Sequence, residues 1–120
     1  MTDPAVDAHT AGRDQRPAVA AGQEALARGA WAEARELFAQ ALADSETPEA
    51  YEGAGLAARY QLDADAAIAA HERGYRLARS REDAATAARL AIQLCHDAYA
   101  FRGARHRQIR VMIGEREVRA

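Results

Sequence analysis

The residues best suited to chemistry are consecutive: Cys95, His96 and Asp97 lie together in the C-terminal half of the longest predicted helix. Thiols and imidazoles serve as nucleophiles, bases and metal ligands, and His71 could supply a further ligand. A zinc site needs about four converging ligands, however, and adjacent helical residues point about 100° apart. We therefore expect no metal site and no catalytic thiol, and we predict a buried Cys95 beside an exposed His96.

Two other side chains receive structural interpretations. His71 is predicted to be a core histidine rather than a pH sensor, and Trp31 to be a wedge between paired helices rather than a ligand-stacking aromatic. The sequence has no Gly-rich phosphate loop, no Gly-x-Ser-x-Gly motif and no paired-carboxylate signature. We expect neither enzymatic activity nor a cofactor.

Composition indicates the elements that must position these residues. The 120 residues are enough for one domain with a modest core, and 49% are hydrophobic although only 6% are aromatic. Alanine makes up much of the difference, and it favours closely packed helices over sheets. The predicted fold class is all-α.

Charge and cysteine usage limit the function classes. The net charge of −2 gives no general reason to expect nucleic acid as a partner, and the basic residues are all arginine. A lone cysteine excludes an intramolecular disulfide and fits a reducing compartment. The chain has neither an apolar run of membrane-spanning length nor a secretory signal, so we expect a cytoplasmic protein without a membrane partner.

Apolar spacing and capping residues predict about five helices. The first begins near Pro17 and ends before Gly29, and the second runs from about Trp31 to Ala43. The third follows the start signal Thr47-Pro48-Glu49 and ends near Tyr60. The predicted inward positions of these helices are Ala18, Ala21, Gly22, Ala25 and Leu26; Ala34, Leu37, Phe38, Ala41 and Leu42; and Tyr51, Ala54, Gly55 and Ala58.

The last two helices complete the predicted domain. Asp63 can cap the fourth, and Ser80 with Asp83 resembles a capping arrangement for a fifth helix from about Arg81 to Phe101. The predicted inward positions are Ala67, Ile68, His71, Tyr75 and Leu77 in the fourth helix, and Ala88, Ala91, Ile92, Cys95 and Tyr99 in the fifth.

The two ends differ from this helical region, which spans residues 16–101. Residues 1–15 show no apolar period and are predicted to be a disordered tail. Residues 102–120 carry six arginines against two glutamates, and a sixth helix, an edge strand and disorder all remain open for them.

The helical region contains an internal repeat with a period of 33 residues. Gly22 aligns with Gly55, Ala34 with Ala67, and Phe38 with His71. In the second copy, Leu62 stands where the first has the turn glycine Gly29, and Ala64 where it has Trp31.

The best-preserved copy reads Gly22-x6-Gly29-x-Trp31-x2-Ala34-x3-Phe38-x2-Ala41-Leu42. This pattern resembles tetratricopeptide-type repeats. The resemblance implies antiparallel helical hairpins that stack into a short right-handed superhelix.

A narrower resemblance lies in the stretches 23–35, 47–53, 71–77 and 101–103. They look like the helical-repeat regions that accompany LuxR-type transcriptional regulators and nucleotidyl-cyclase-linked signalling proteins in GC-rich bacteria. A link to bacterial transcriptional regulation is implied by this resemblance alone, because no DNA-binding helix-turn-helix is recognisable here.

In such repeats the first helix of each pair lines the concave face, which implies a protein- or peptide-binding module. By register, the partner-binding residues are Gln23, Leu26, Glu52, Leu56, Arg59, Tyr60, Arg89 and Gln93. Arg59 and Tyr60 are the preferred anchors, because Tyr and Arg often dominate interfaces. Two alternatives remain: a self-associating domain that forms a homodimer through the last helix, and a DNA-binding accessory that uses the Arg-rich tail.

Overall fold

The computed structural model describes residues 16–102, so the predicted tail at 1–15 and, apart from Arg102, the predicted tail at 102–120 lie outside the described range. The described chain is all-α, as predicted, and its helices are α1 (Arg16–Ala27), α2 (Trp31–Asp44), α3 (Pro48–Tyr60), α4 (Ala64–Ser80) and α5 (Ala84–Ala100). None of the described helices is long and apolar enough to cross a membrane.

Short connections at residues 28–30, 45–47, 61–63 and 81–83 turn each helix back on its predecessor. Each helix packs on the next, and α3 also contacts both α1 and α5. No comparable contact joins α2 to α4 within the described part of the chain. As a result, α1, α3 and α5 lie side by side, with α2 and α4 behind them.

Glycine permits the closest helix contacts. The ring of Phe38 is fully buried, and a Cβ atom placed on Gly53 would come within 2.1 Å of it. Likewise, a Cβ on Gly55 would come within 2.2 Å of the buried His71 ring. The repeat positions 38 and 71 therefore hold equivalent wedges. All predicted inward residues of α1 to α4 are buried or half-buried, which confirms those four stripes.

The turn positions share a left-handed backbone even where the repeat has lost its glycine. Gly29 has φ 77°, and Leu62, its equivalent one period later, has φ 61°. Glu82, in the connection before α5, has φ 57°. Side chains with a Cβ are disfavoured in this region, so the two later turns store strain that Gly29 avoids.

The helix starts at Thr47 and Asp63 are confirmed as caps. Thr47 Oγ1 accepts from the backbone N–H of Ala50, and Asp63 Oδ1 from that of Ala66. The predicted start of the last helix is wrong, because Ser80 ends α4 and its hydroxyl donates to the Leu77 carbonyl. Instead, Asp83 caps α5 by accepting from the Thr86 N–H.

The predicted inward face of α5 is also wrong. The helix buries Thr86, Ala87, Leu90 and Asp97, whereas Ala88, Ile92, Cys95 and Tyr99 are exposed and Ala91 is only half-buried. The inward face was predicted from the positions of apolar residues alone. That criterion excludes a carboxylate such as Asp97 from the interior. Asp97 has bonding partners there, and their positions determine which side of α5 faces inward.

Candidate interaction surface

Four of the eight predicted partner-binding residues meet where α3 lies against α5. Arg89 Nη2 donates to Glu52 Oε1 at 3.2 Å. Arg59 Nη2 donates to Gln93 Oε1 at 2.7 Å and to the Gln93 carbonyl at 3.0 Å. These side chains cross-link neighbouring helices and form one continuous polar strip.

A buried carboxylate lies beneath this strip. Asp97 Oδ1 accepts from Arg59 Nε at 2.8 Å, and Asp97 Oδ2 lies 2.5 Å from His71 Nδ1. The other ring nitrogen of His71 lies 3.3 Å from the Glu52 carbonyl oxygen. The group thus joins α3, α4 and α5, and its polar atoms satisfy one another inside the stack.

The three side chains of this group, the triad of Arg59, His71 and Asp97, hold the helices together. His71 and Asp97 are fully buried. We did not predict the role of Asp97 from the sequence. The available signal was the single acidic residue of α5, together with a histidine at a position that is apolar in the other repeat copy.

Arg59 belongs to the triad, and only 15% of its side chain is exposed. Its guanidinium group is committed to Asp97 and Gln93, so a partner could contact it only at its edge. The role of Arg59 as a binding anchor stays a prediction, and its removal would also alter helix packing.

Tyr60 lies at the end of α3 and is 53% exposed. Its ring stacks on Trp31 at the start of α2, with the centroids 4.2 Å apart and the planes inclined by 14°. The stack joins two helix ends and still presents aromatic surface to solvent. This contact joins α2 to the next pair of helices, so the predicted role of Trp31 as a wedge between the paired helices α1 and α2 stays a prediction.

The remaining predicted residues extend the strip toward α1. Gln23, Leu56 and Arg89 are spaced by the repeat period, so each holds the same position in α1, α3 and α5. Gln23 and Arg89 are exposed, and Leu56 is half-buried. Leu26 packs against the cluster of Ala25, Ala34, Phe38 and Ala57. No hydrogen bond or ring contact of the described residues joins Gln23 or Tyr60 to the α3–α5 strip.

Cys95 is exposed, which corrects the prediction that it is buried; His96 is exposed, as predicted. The two side chains do not converge with others, and the described residues include no group of three potential metal ligands. His71 and Asp97 do meet, but as a buried pair.

A separate cleft of about 510 Å³ lies between the α2–α3 connection and α4. There Tyr51 donates to Glu46, and Arg73 Cζ lies 5.7 Å from the centre of the Tyr51 ring. Burial, followed by the bond to Glu46, raises the pKa of the Tyr51 hydroxyl. The contacts join the connection to α4, so we assign this cleft a structural role.

The outer face of α5 is a third distinct surface. Ile92 is 54% exposed and Tyr99 is 83% exposed. Beside them, a groove of about 610 Å³ runs between α4 and α5, and it is lined by Tyr75 and four alanines together with the charged residues Arg79, Glu82 and Asp83. The outer side of α5 thus combines exposed apolar side chains with a partly charged groove.

Comparison with models of known protein families, with curated proteins and with solved structures finds no match to this chain.

Proposed function

We propose that the chain is a non-catalytic binding module that holds a protein or peptide segment against α1, α3 and α5. The observation that carries the proposal is the side-by-side packing of these three helices, while α2 and α4 stay apart. Their outward residues form a continuous row in which equivalent repeat positions line up.

The row has the mixed chemistry of a peptide-binding surface. Half-buried Leu26 and Leu56 offer apolar contact, while the exposed Gln23 and Arg89 can bond to a peptide backbone or to polar side chains. The exposed face of the Trp31–Tyr60 stack adds an aromatic contact at one end. Such a surface suits a segment whose apolar side chains are flanked by polar groups.

The cellular setting is part of the proposal and rests on the sequence alone. The resemblance to the repeat regions of LuxR-type regulators supports a role in bacterial transcriptional regulation. The lone cysteine supports a cytoplasmic location.

Affinity capture from the native cell, with matched variants, tests the module. Leu56→Glu places a charge in the middle of the row, and Gln23→Glu alters an exposed position that cannot affect the core. We expect both to release the captured partner, whereas Ala39→Glu on the outer side of α2 should retain it. Equal capture by all three variants would contradict the proposal.

Self-association is a second candidate, favoured by the exposure of Ile92 and Tyr99 on α5. Apolar side chains of this size are usually covered when they form one contiguous face. Light scattering of the protein at high micromolar concentration should give the molar mass of a homodimer. A monomer under those conditions would contradict this candidate.

A further inference from the structure

The two ion pairs of the strip between α3 and α5 have the same orientation, with the carboxylate inside and the guanidinium group outside. Asp97 is fully buried, whereas its partner Arg59 is partly exposed. In the second pair, 55% of the Arg89 side chain is exposed but only 16% of the Glu52 side chain. Each pair is neutral as a whole, yet the half that a partner meets is positively charged. The strip is therefore complementary to an acidic group.

The side of α5 that carries Arg89 supplies further hydrogen-bond donors. Gln93 and His96 follow Arg89 at intervals of four and three residues, so the three side chains share one side of the helix. Arg89 and His96 are exposed, and the half-buried Gln93 is held by Arg59. We call Arg59, Arg89, Gln93 and His96 the donor patch. The single acidic residue of α5, Asp97, faces inward and leaves the patch without a carboxylate of its own helix.

The repeat places an apolar contact beside this patch. Glu52 and Arg89 meet between α3 and α5, and the residues one period earlier are Val19 in α1 and Leu56 in α3. Both are half-buried. A groove of about 330 Å³ lies beside Val19, between the beginnings of α1 and α3. The row thus offers apolar surface next to a cationic surface.

The spacing of the helices sets the distance between these two surfaces. Leu56 and Arg89 hold the same register position on the neighbouring helices α3 and α5. Packed helices lie about 8–10 Å apart. A polyproline-type extended chain advances about 3.1 Å per residue with three residues per turn, so side chains three positions apart point the same way at about 9 Å. An extended segment can therefore contact both surfaces with side chains three positions apart.

We propose that the partner segment is acidic, with a carboxylate side chain on the donor patch against Arg89 and an apolar side chain, three positions away, on Leu56. This proposal rests on the peptide-binding function proposed above and adds the chemistry of the partner. Arg89 donates to Glu52 through Nη2, and its other N–H groups can receive a second carboxylate. Because Glu52 already orders the guanidinium group, binding costs less side-chain entropy.

Selection of displayed random peptides on the full chain tests this chemistry directly. Peptides retained by the wild type should be enriched, relative to the unselected library, in Asp or Glu three positions from a large apolar residue. Arg89→Gln should abolish the acidic enrichment and weaken binding of the selected peptides by about tenfold, the loss of one hydrogen bond to a charged group. Arg89→Glu should instead select basic peptides.

Arg28→Glu is the matched control. Arg28 is exposed to nearly the same degree as Arg89 and is likewise paired with a glutamate, Glu33, but it lies outside the row. This variant should retain the acidic preference of the wild type. Melting temperatures of the four proteins show whether each variant is folded, and Arg89→Gln introduces no repulsion with Glu52.

The outcomes separate the acidic partner from the binding module. Wild-type peptides without an acidic excess, or peptides that bind Arg89→Gln as tightly as the wild type, would overturn the acidic partner. The binding module would survive that result if Leu56→Glu still released the peptides. A wild type that retains no peptide at all would contradict both proposals.

Discussion

The two helical pairs use the same position for different purposes. Phe38 and His71 are one repeat period apart, and each lies on a glycine of the preceding helix, Gly22 or Gly55. Phe38 makes only apolar contacts with its own pair and with Gly53 of α3. His71 bonds to the Glu52 carbonyl of α3 and to Asp97 of α5.

The difference shows how a polar contact, rather than apolar packing, can set the orientation of the helix that follows the two pairs. An apolar wedge needs only a small residue facing it on the later helix, as Phe38 has in Gly53 of α3. A polar wedge needs a buried acceptor, and α5 supplies it by turning Asp97 inward. That rotation leaves Ile92 and Tyr99 on the outer side, where they form the face that favours self-association.

The largest expected effect is in the first pair. Phe38→Ala should lower the free energy of unfolding by about 3–5 kcal/mol, because the glycines around the ring cannot fill the cavity. Urea denaturation measures the change. Leu42→Ala, a half-buried residue of the same helix, is the control and should cost clearly less. Equal losses would mean that Phe38 is not the wedge of the first pair.

A smaller loss of unfolding free energy is expected when the pair α3–α4 is given the aromatic wedge of the pair α1–α2. His71→Phe keeps an aromatic wedge but removes both ring nitrogens, leaving Asp97 with Arg59 as its remaining partner. An unsatisfied buried acceptor costs about 1–3 kcal/mol. If the unfolding free energy were unchanged, the bonds of His71 would not hold α5.

The turns offer a comparison with a still smaller effect. Leu62→Gly should stabilise the protein by about 1 kcal/mol, because glycine adopts the left-handed backbone without the Cβ clash. Gly29→Ala, at the equivalent turn, should destabilise it by a similar amount. Thermal unfolding with two-state analysis gives both values, and changes of the same sign would contradict the shared turn geometry.

The smallest effect concerns the caps and depends on pH. Bonds from the Thr86 side chain and backbone hold the pKa of Asp83 below its ordinary value of 3.8. A lowered pKa in the folded state means that the cap stabilises fully above pH 3.8 and loses this contribution as the pH falls through the folded pKa. The difference in melting temperature between wild type and Asp83→Asn should therefore shrink below that pH. A constant difference would show that ionisation of Asp83 plays no part.

Local patterns predicted much of the fold and less of the interactions between its helices. Thr47, Asp63 and Gly29 mark helix ends through bonds or backbone angles that involve neighbouring residues, so the sequence reveals them. The inward face of α5 depends on His71 and Arg59, which lie on other helices, and apolar spacing points to the opposite side. The burial of Cys95 was mispredicted for the same reason.

The same distinction between local patterns and contacts between helices applies to the candidate surface. The repeat register placed Gln23, Leu56 and Arg89 in one row, and the structure gives α1, α3 and α5 the packing such a row requires. Register could not reveal that Arg59 is held by Asp97 and Gln93, because those contacts are specific to this chain.

Mapping the bound partner on the folded chain tests the proposed function most directly. Nuclear magnetic resonance of the labelled full chain, titrated with the partner segment identified by capture, should shift amide signals along α1, α3 and α5. The largest shifts should surround Gln23, Leu56 and Arg89, and Leu56→Glu should abolish them. Shifts confined to the outer sides of α2 and α4 would contradict the account.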